Sequence, residues 1–329
     1  MAEGVESTFK IYEKEYQGGQ YEVIAQNVNA FNAASQGSIT LATLATIGDY
    51  EKEAFIRDIS STIITRRDLT STSTASGIDL TEEEYIRVKV SRKIGPIEKT
   101  LSSWKKIGMT PQVMSFIIGG MVAKAKLADY LNSGLAAVAN AIENVGNTVN
   151  YNMTALTDKS LSITGLVNGL KLFGDRAGDI VCWVMHSKPY FDLMIEQTGV
   201  AVSNQLGLTI AEGSVKSLGR PIIFSDSAAL TDANGSLTDS YNVLGLTKGA
   251  LTIVESEVEQ IIEQDITGHE QLFKRIQGEH SFTVGVRGYQ WDTSNGGKNP
   301  TIATLGTGTN WDKIAASIKD TAGIVIKCQ

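Results

Sequence analysis

Residues 115–142 read SFIIGGMVAKAKLADYLNSGLAAVANAI, a stretch nearly free of charge and long enough to invite a membrane reading. A spanning helix needs about 20 consecutive apolar residues. Here Lys124, Lys126 and Asp129 interrupt the run, Asn132 and Ser133 follow, and unbroken apolarity extends only from Phe116 to Ala123. The better reading is one long amphipathic helix. Val113, Phe116, Ile117, Gly120, Met121, Leu127, Leu131, Leu135, Val138 and Ile142 roughly follow helical spacing. Thr110 before Pro111 offers a cap and a first-turn proline, and Gly146 sits where a C-terminal glycine belongs. Such a helix runs about 35 residues, or roughly 50 Å at its usual rise. That length is unusual inside a globular domain. It reads as a spine on which other parts are laid.

The rest of the chain must supply those parts. With 329 residues it is long for one core, so two or three sub-domains are expected. Hydrophobic content of 42% against 20% charged residues argues for a folded chain. A net charge of −7 argues against binding naked nucleic acid through its phosphates. The opening MAEGVESTFKIYEKEY is polar and acidic, unlike a secretory signal. Cys182 lies in the apolar run IVCWVM, far from Cys328, and reads as a buried small hydrophobe.

Residues 1–45 show weak periodicity and suggest an extended arm with one short helix. Another short helix is expected over 49–55. Two strand-like runs follow, at 55–65 and 84–95. In the second, Ile86, Val88 and Val90 point one way and Tyr85, Arg87, Lys89 and Ser91 the other. Between them lies a polar stretch, 68–83, rich in Ser and Thr. Together these make a long two-stranded arm with a loose tip. An isolated hairpin is marginal in water, so a neighbouring copy of the same chain is its natural support. The charged candidates for that contact are Arg66, Arg67, Asp68, Glu82, Glu83, Glu84, Arg87 and Lys89. Beyond the spine, helices are expected at 161–173, 187–199 and 311–320. Strands are expected at 179–185, 219–226 and 323–328, two within 241–256 about a turn at Lys248-Gly249, and one long or two shorter within 270–291. The middle and end read as a mixed α/β region.

No chemistry converges. His186 and Ser187 are adjacent, but no G-x-S-x-G elbow surrounds any serine. His269 and His280 read as exposed strand residues, too few and ill-spaced for a metal. GTGTNW from Gly306 lacks both phosphate-loop patterns and reads as a tight turn. The acidic run from Glu255 to Asp265 lacks the calcium-loop pattern and reads as an exposed helix or strand. No catalytic residue, cofactor or metal is expected.

The order of parts is distinctive: loose arm, hairpin, very long helix, α/β region, returning strands. It resembles the major capsid proteins of tailed bacteriophages, with the Hong-Kong-phage-type shell fold. The matching stretches are 66–108 for the hairpin called the E-loop and 115–142 for the spine. The WVMHSKPYFDLM run at 183–194 resembles the start of the A domain. LGRPIIFSD at 218–226, LTKGALTI at 246–253 and FKRIQGEHSFTVGVRGYQW at 273–291 resemble later strands. The resemblance implies an α+β chain divided into an N-arm (1–48), an E-loop (49–109), a P-domain spine (110–150), an A domain (151–255), returning P-domain strands (256–285) and a C-terminal extension of the A domain (286–329). It implies a structural protein, not an enzyme. The implied subunit self-assembles as pentamers and hexamers into an icosahedral head around double-stranded DNA held without sequence-specific contacts. It implies portal, scaffolding and decoration proteins as partners, no membrane, and a virion assembled in the host cytoplasm. The family's chains often stop soon after the returning strands, whereas about 38 residues follow Trp291 here. Some relatives carry an N-terminal scaffolding segment; this chain begins almost directly with the arm, so a separate scaffold is expected. An encapsulin-like compartment protein shares the fold and is the alternative. An α/β hydrolase using His186 ranks below both.

Overall fold

The computed structural model describes residues 13–44, 48–56, 59, 63–67, 69–74, 76–100, 111–144, 149–204, 217–232 and 240–329. The spine is present as α2, Pro111–Glu143, 33 residues long. No described helix is long and apolar enough to cross a membrane. The capping positions expected at Thr110 and Gly146 lie outside the described residues.

The spine packs against two sheets. The first has seven strands: β1 (Ile39–Thr43), β2 (Tyr50–Ile56), β3 (Glu82–Thr100), β9 (Leu251–Ile266), β10 (Phe273–Val286), β11 (Tyr289–Trp291) and β12 (Trp311–Lys313). Here β10 is central. It pairs antiparallel with β9 on one side and β3 on the other, β1 adds parallel to β9, and β2 adds antiparallel to β3. The second sheet has six strands in the order β4 (Asn150–Asn152), β13 (Gly323–Cys328), β8 (Ser240–Thr247), β5 (Ile180–Met185) and β6 (Ile222–Phe224), with β7 (Thr231–Asp232) beside β8. Strand β13, GIVIKC, is flanked on both sides and buried, as a continuous apolar run should be. Helices α3 (Ile163–Lys171), α4 (Ser187–Asn204) and the short α5 (Ile302–Leu305) complete the fold.

Burial along the spine is uneven. From Ser133 to Ala139, and again at Ala141 and Ile142, every residue is buried. Gly134 leaves room for the side chains of Leu251 and Ile253. One continuous core runs through this half and takes in Phe282, Trp183, Trp291 and Trp311. Earlier in the helix only a stripe is buried: Ser115, Ile118, Gly119, Val122, Ala123, Lys126 and Tyr130. That stripe recurs at three- and four-residue steps, as one helix face should.

Several expectations are corrected. The described part of the N-terminal arm is not extended: it holds a 22-residue helix, α1 (Glu13–Ala34), packed along the spine, followed by β1. The two helices touch through glycine: a Cβ on Gly19 would overlap the carbonyl of Phe116, and one on Gly119 that of Tyr16. The helix expected at 49–55 is strand β2. Its Glu51 and Glu53 lie opposite Arg87 and Tyr85 of β3, so cross-strand pairing outweighs local propensity. The first hairpin strand ends at Ile56, and none of the described residues from 63 to 80 is in helix or strand. The helix from Ser187 continues past Gly199 to Asn204. The stretch 270–291 resolves into β10 and β11 about a turn at Gly288, which takes φ +80°. The helix expected at 311–320 is β12 plus one 3-10 turn, Ile318–Asp320. Trp311 pairs with Trp291 across the sheet, and the two indoles meet edge to face at 5.0 Å.

Candidate intersubunit surface

The hairpin arm is positioned by the length of β3. Val88 and Val90 are fully buried and Ile86 packs against the core, so the inward face was legible from the alternation. The outward face is not simply solvated. Gly285 on β10 leaves space that Tyr85 and Arg87 fill. The Tyr85 hydroxyl donates to the Val286 carbonyl at 3.2 Å. Arg87 donates to Glu51 at 3.2 Å and Glu53 at 3.0 Å, and its guanidinium lies 5.0 Å from the Tyr85 ring centre. Lys89 is buried and paired with Glu257.

The eight charged candidates therefore separate. Arg87 and Lys89 are engaged within the chain. Glu84 is exposed and pairs with Lys52 at 2.8 Å. Arg66, Arg67 and Glu82 are exposed and Glu83 is half-buried. Asp68 lies outside the described residues. Around Arg66 and Arg67 stand large aliphatic side chains facing solvent, with Ile64 87% and Leu69 83% exposed. The N-terminal half of the spine adds Val113, Phe116 and Met121, all exposed. These belong to the exposed apolar surface of the described residues, and surface of this kind marks contact sites.

The acidic run on β9 has a different fate from the one expected. Alternation alone would place Glu255, Glu257 and Glu259 on one face. The register with β10 skips twice: Phe282 faces Glu255, Ser281 faces Glu257, and Glu279 faces Gln260. Each skip inserts an extra β9 residue and turns the following side chains over. Glu255 and Glu259 thus reach the spine, where buried Lys126 meets them at 2.7 and 3.0 Å. Glu257 reaches Lys89 on the opposite face. Further along, buried Lys274 pairs with Glu263 and with Asp265. A buried lysine needs such partners, because an unpaired charge there is very costly.

Glu259 also accepts hydrogen bonds from α1, at 2.6 Å from the Tyr16 hydroxyl and 2.8 Å from Gln20. Burial, with the Glu259 carboxylate beside it, holds the Tyr16 hydroxyl far above the ordinary tyrosine range. For Glu259 itself burial disfavours the charge, but the Tyr16 bond, Lys126 and Gln20 outweigh it, so its carboxyl titrates below the ordinary range. Lys126 was the signal available in the sequence. It falls on the same face as Ile118, Val122 and Tyr130, at a position where a core residue belongs.

The remaining candidates are structural. His280, expected to be exposed, is buried: it packs tilted against Tyr130 and stacked with Phe282, and neither ring nitrogen has a partner. His269 is exposed. His186 follows β5, its Nδ1 accepting from the Lys188 amide at 3.3 Å. Cys182 is buried and free beside Ser38. Residues 306–310 form the turn leading to Trp311. The described residues contain no cluster that could hold a metal ion.

The model of the Gp13-like family, described as major capsid protein 13-like, matches residues 8–325. Among solved structures, the capsid of Ralstonia phage GP4 is similar at TM-score 0.50 and 9% identity, covering 89% of this chain and 87% of that chain. Mycobacterium phage Bobi gives TM-score 0.49 at 11% identity, over 89% of this chain and 88% of that chain. The capsid of cyanophage P-SCSP1u gives 0.46 at 13% identity, over 76% and 84% respectively. No curated protein matches the sequence. The match over nearly the whole chain favours the phage head over a cellular compartment and over an enzyme. The chain belongs to the Gp13-like family of major capsid proteins: it has the Hong-Kong-phage-type capsid fold and is a structural subunit of a phage head shell in the virion.

Proposed function

We propose that copies of this chain assemble as pentamers and hexamers into an icosahedral head, with the hairpin arm of each lying on its neighbour. The observation that carries this reading is the arm itself. Residues 63–80 expose Ile63, Ile64, Leu69, Ile78 and Leu80 to solvent, and the chain's own core does not cover them. Arg66, Arg67, Glu82 and Glu83 would form the charged rim of that contact, and Asp68 would join them. In this reading 1–48 is the N-arm, 49–109 the E-loop, 110–150 the spine, and 151–255 the A domain. Residues 256–285 return to the spine, and 286–329 would extend the A domain through β13, with β11 and β12 lying on the first sheet.

The head would enclose double-stranded DNA without sequence-specific contacts. The chain's net charge of −7 suits that task, since a basic inner wall would bind the genome tightly and resist its release. A portal protein, a separate scaffolding protein and a decoration protein complete the set of partners, with assembly in the host cytoplasm and no membrane involved. The test is deletion of residues 68–83, with the ends rejoined by a short Gly-Ser linker. The expected outcome is a soluble, folded chain that makes few or no closed particles. Normal particles from that deletion would remove the arm from the account.

A further inference from the structure

Three features set α1 apart from the rest of the molecule. First, the described apolar side chain it buries, Tyr16, belongs to a small cluster with Ile118, Val122 and Ile276, separate from the main core. Satellite clusters of this kind carry less stability than a continuous core and can open alone. Second, α1 ends at a backbone turn where Gln36 and Gly37 both take positive φ, 52° and 74°. Just beyond it Ser38 is buried and β1 is tied into the first sheet. The chain thus changes at one point from a helix on a satellite cluster to a strand in the main core. Third, two polar contacts from the N-terminal half of α1 meet on one carboxylate, Glu259, which Tyr16 and Gln20 both reach and which is itself held by Lys126, while at the other end of α1 Asn32 exchanges hydrogen bonds with Leu41 of β1 across that turn.

We infer that α1 is a releasable clamp on the spine, latched through the Glu259 carboxylate and hinged at Gln36–Gly37. Latched, Glu259 is anionic, shares Lys126 with Glu255, and orders Tyr16 and Gln20. Once Glu259 is neutral it no longer draws two donors out of water, and α1 separates while the two sheets and the buried half of the spine persist. Release uncovers the Ile118–Val122 stripe and the glycines at the crossing. The groups facing the latch are Tyr16 and Gln20 from α1, Lys126, Asp129 and Tyr130 from the spine, Glu255 from β9, His280 from β10, and Arg92 from β3, which pairs with Asp129 at 3.0 Å. Acid acts in the opening direction: the carboxyl binds a proton less readily when latched than when hydrated, so protons favour the open state. The inference concerns one chain and does not depend on how copies assemble.

Hydrogen exchange on the full-length protein tests it. Peptides within 13–34 are compared with peptides within 135–142 and 323–328, with rates corrected for the intrinsic pH dependence of exchange. In Glu259→Gln at pH 7.5, protection of 13–34 should fall at least tenfold while the two reference regions keep theirs. In the unaltered protein the same selective loss should develop on acidification, and Glu259→Gln should show little further pH dependence. If the glutamine variant proves insoluble, Gln20→Ala removes one of the two donors and should give the same selective loss, smaller in size. Unchanged protection of α1 in these variants, a flat acid response, or parallel loss in all three regions would each overturn the clamp.

Discussion

The two halves of the spine share one helix and are held by different physics. From Ser133 to Ile142 the helix is buried nearly all round, between Leu251 and Ile253 of one sheet and the β13 side of the other. From Val113 to Asn132 it buries a stripe, leaves Val113, Phe116 and Met121 in solvent, and is tied to β9 through Lys126, whose partner Glu259 also holds α1. The first arrangement has no freedom: its apolar area is consumed within the chain. The second keeps apolar area available and depends on charges that can be rearranged. A subunit that must fold alone and then meet neighbours needs both. Here the division falls along one element, near residue 132.

That contrast can be broken most severely at Lys126. Lys126→Met leaves Glu255 and Glu259 without their shared counter-charge, and removing one partner of a buried pair costs about 3–5 kcal/mol. Denaturant unfolding measures it; a loss well under 1 kcal/mol would mean that the network does not hold this half. Leu135→Ala in the buried half should cost about 2–5 kcal/mol. Met121→Ala, 64% exposed, should stay within about 0.5 kcal/mol. Equal effects at the two positions would erase the distinction. Gly119→Val drives a side chain into the Tyr16 carbonyl and should cost about 1–3 kcal/mol. Gly120→Ala, one residue along, meets Val23 and the Gly19 carbonyl at ordinary contact distances and should be neutral or stabilising.

A gentler probe is pH. Burial, then Lys126 nearby, holds His280 below the ordinary histidine value, so the folded chain refuses a proton that the unfolded chain accepts. Its contribution is therefore complete above about pH 6.5, the unfolded value, and declines as pH falls from there. Glu259, also depressed, adds a loss of the same sign at lower pH, as its folded value is crossed. The thermal midpoint should fall on acidification from pH 7 to 5, and His280→Gln should flatten that decline. A midpoint that rises over this range would reverse the assignment. A small effect is also expected at the exposed pair on the arm. Lys52→Ala, which removes its bond to Glu84, should change stability by about 0.2–1 kcal/mol and lose even that in high salt.

The sequence disclosed elements whose pattern is local. The spine, the alternation of Ile86, Val88 and Val90, and the apolar runs of β5 and β13 are signalled by periodicity alone. It concealed those whose reason is a distant partner. In α1, Gly18-Gly19 reads as a helix breaker, yet Gly19 is what admits the spine at close range. β2 is a charged heptapeptide that becomes a strand because β3 supplies the matching ladder. Residues 311–320 carry helical spacing, but Trp311 is claimed by Trp291. The contact candidates divided the same way. Exposure of Arg66 and Arg67 follows from their own charge, whereas the engagement of Arg87 and Lys89 required knowing where Glu51, Glu53 and Glu257 would fall. Nothing local announces the two register skips that send Glu255 and Glu259 to one face and Glu257 to the other.

The central claim is that this chain is built to meet copies of itself. Its most direct test is the mass of the purified full-length protein by light scattering, with negative-stain imaging of the same sample. The account predicts closed particles of uniform size in the megadalton range, or pentamers and hexamers that close when a scaffolding protein is supplied. A chain that stays monomeric or dimeric at every concentration and salt, with or without a scaffold, would contradict it.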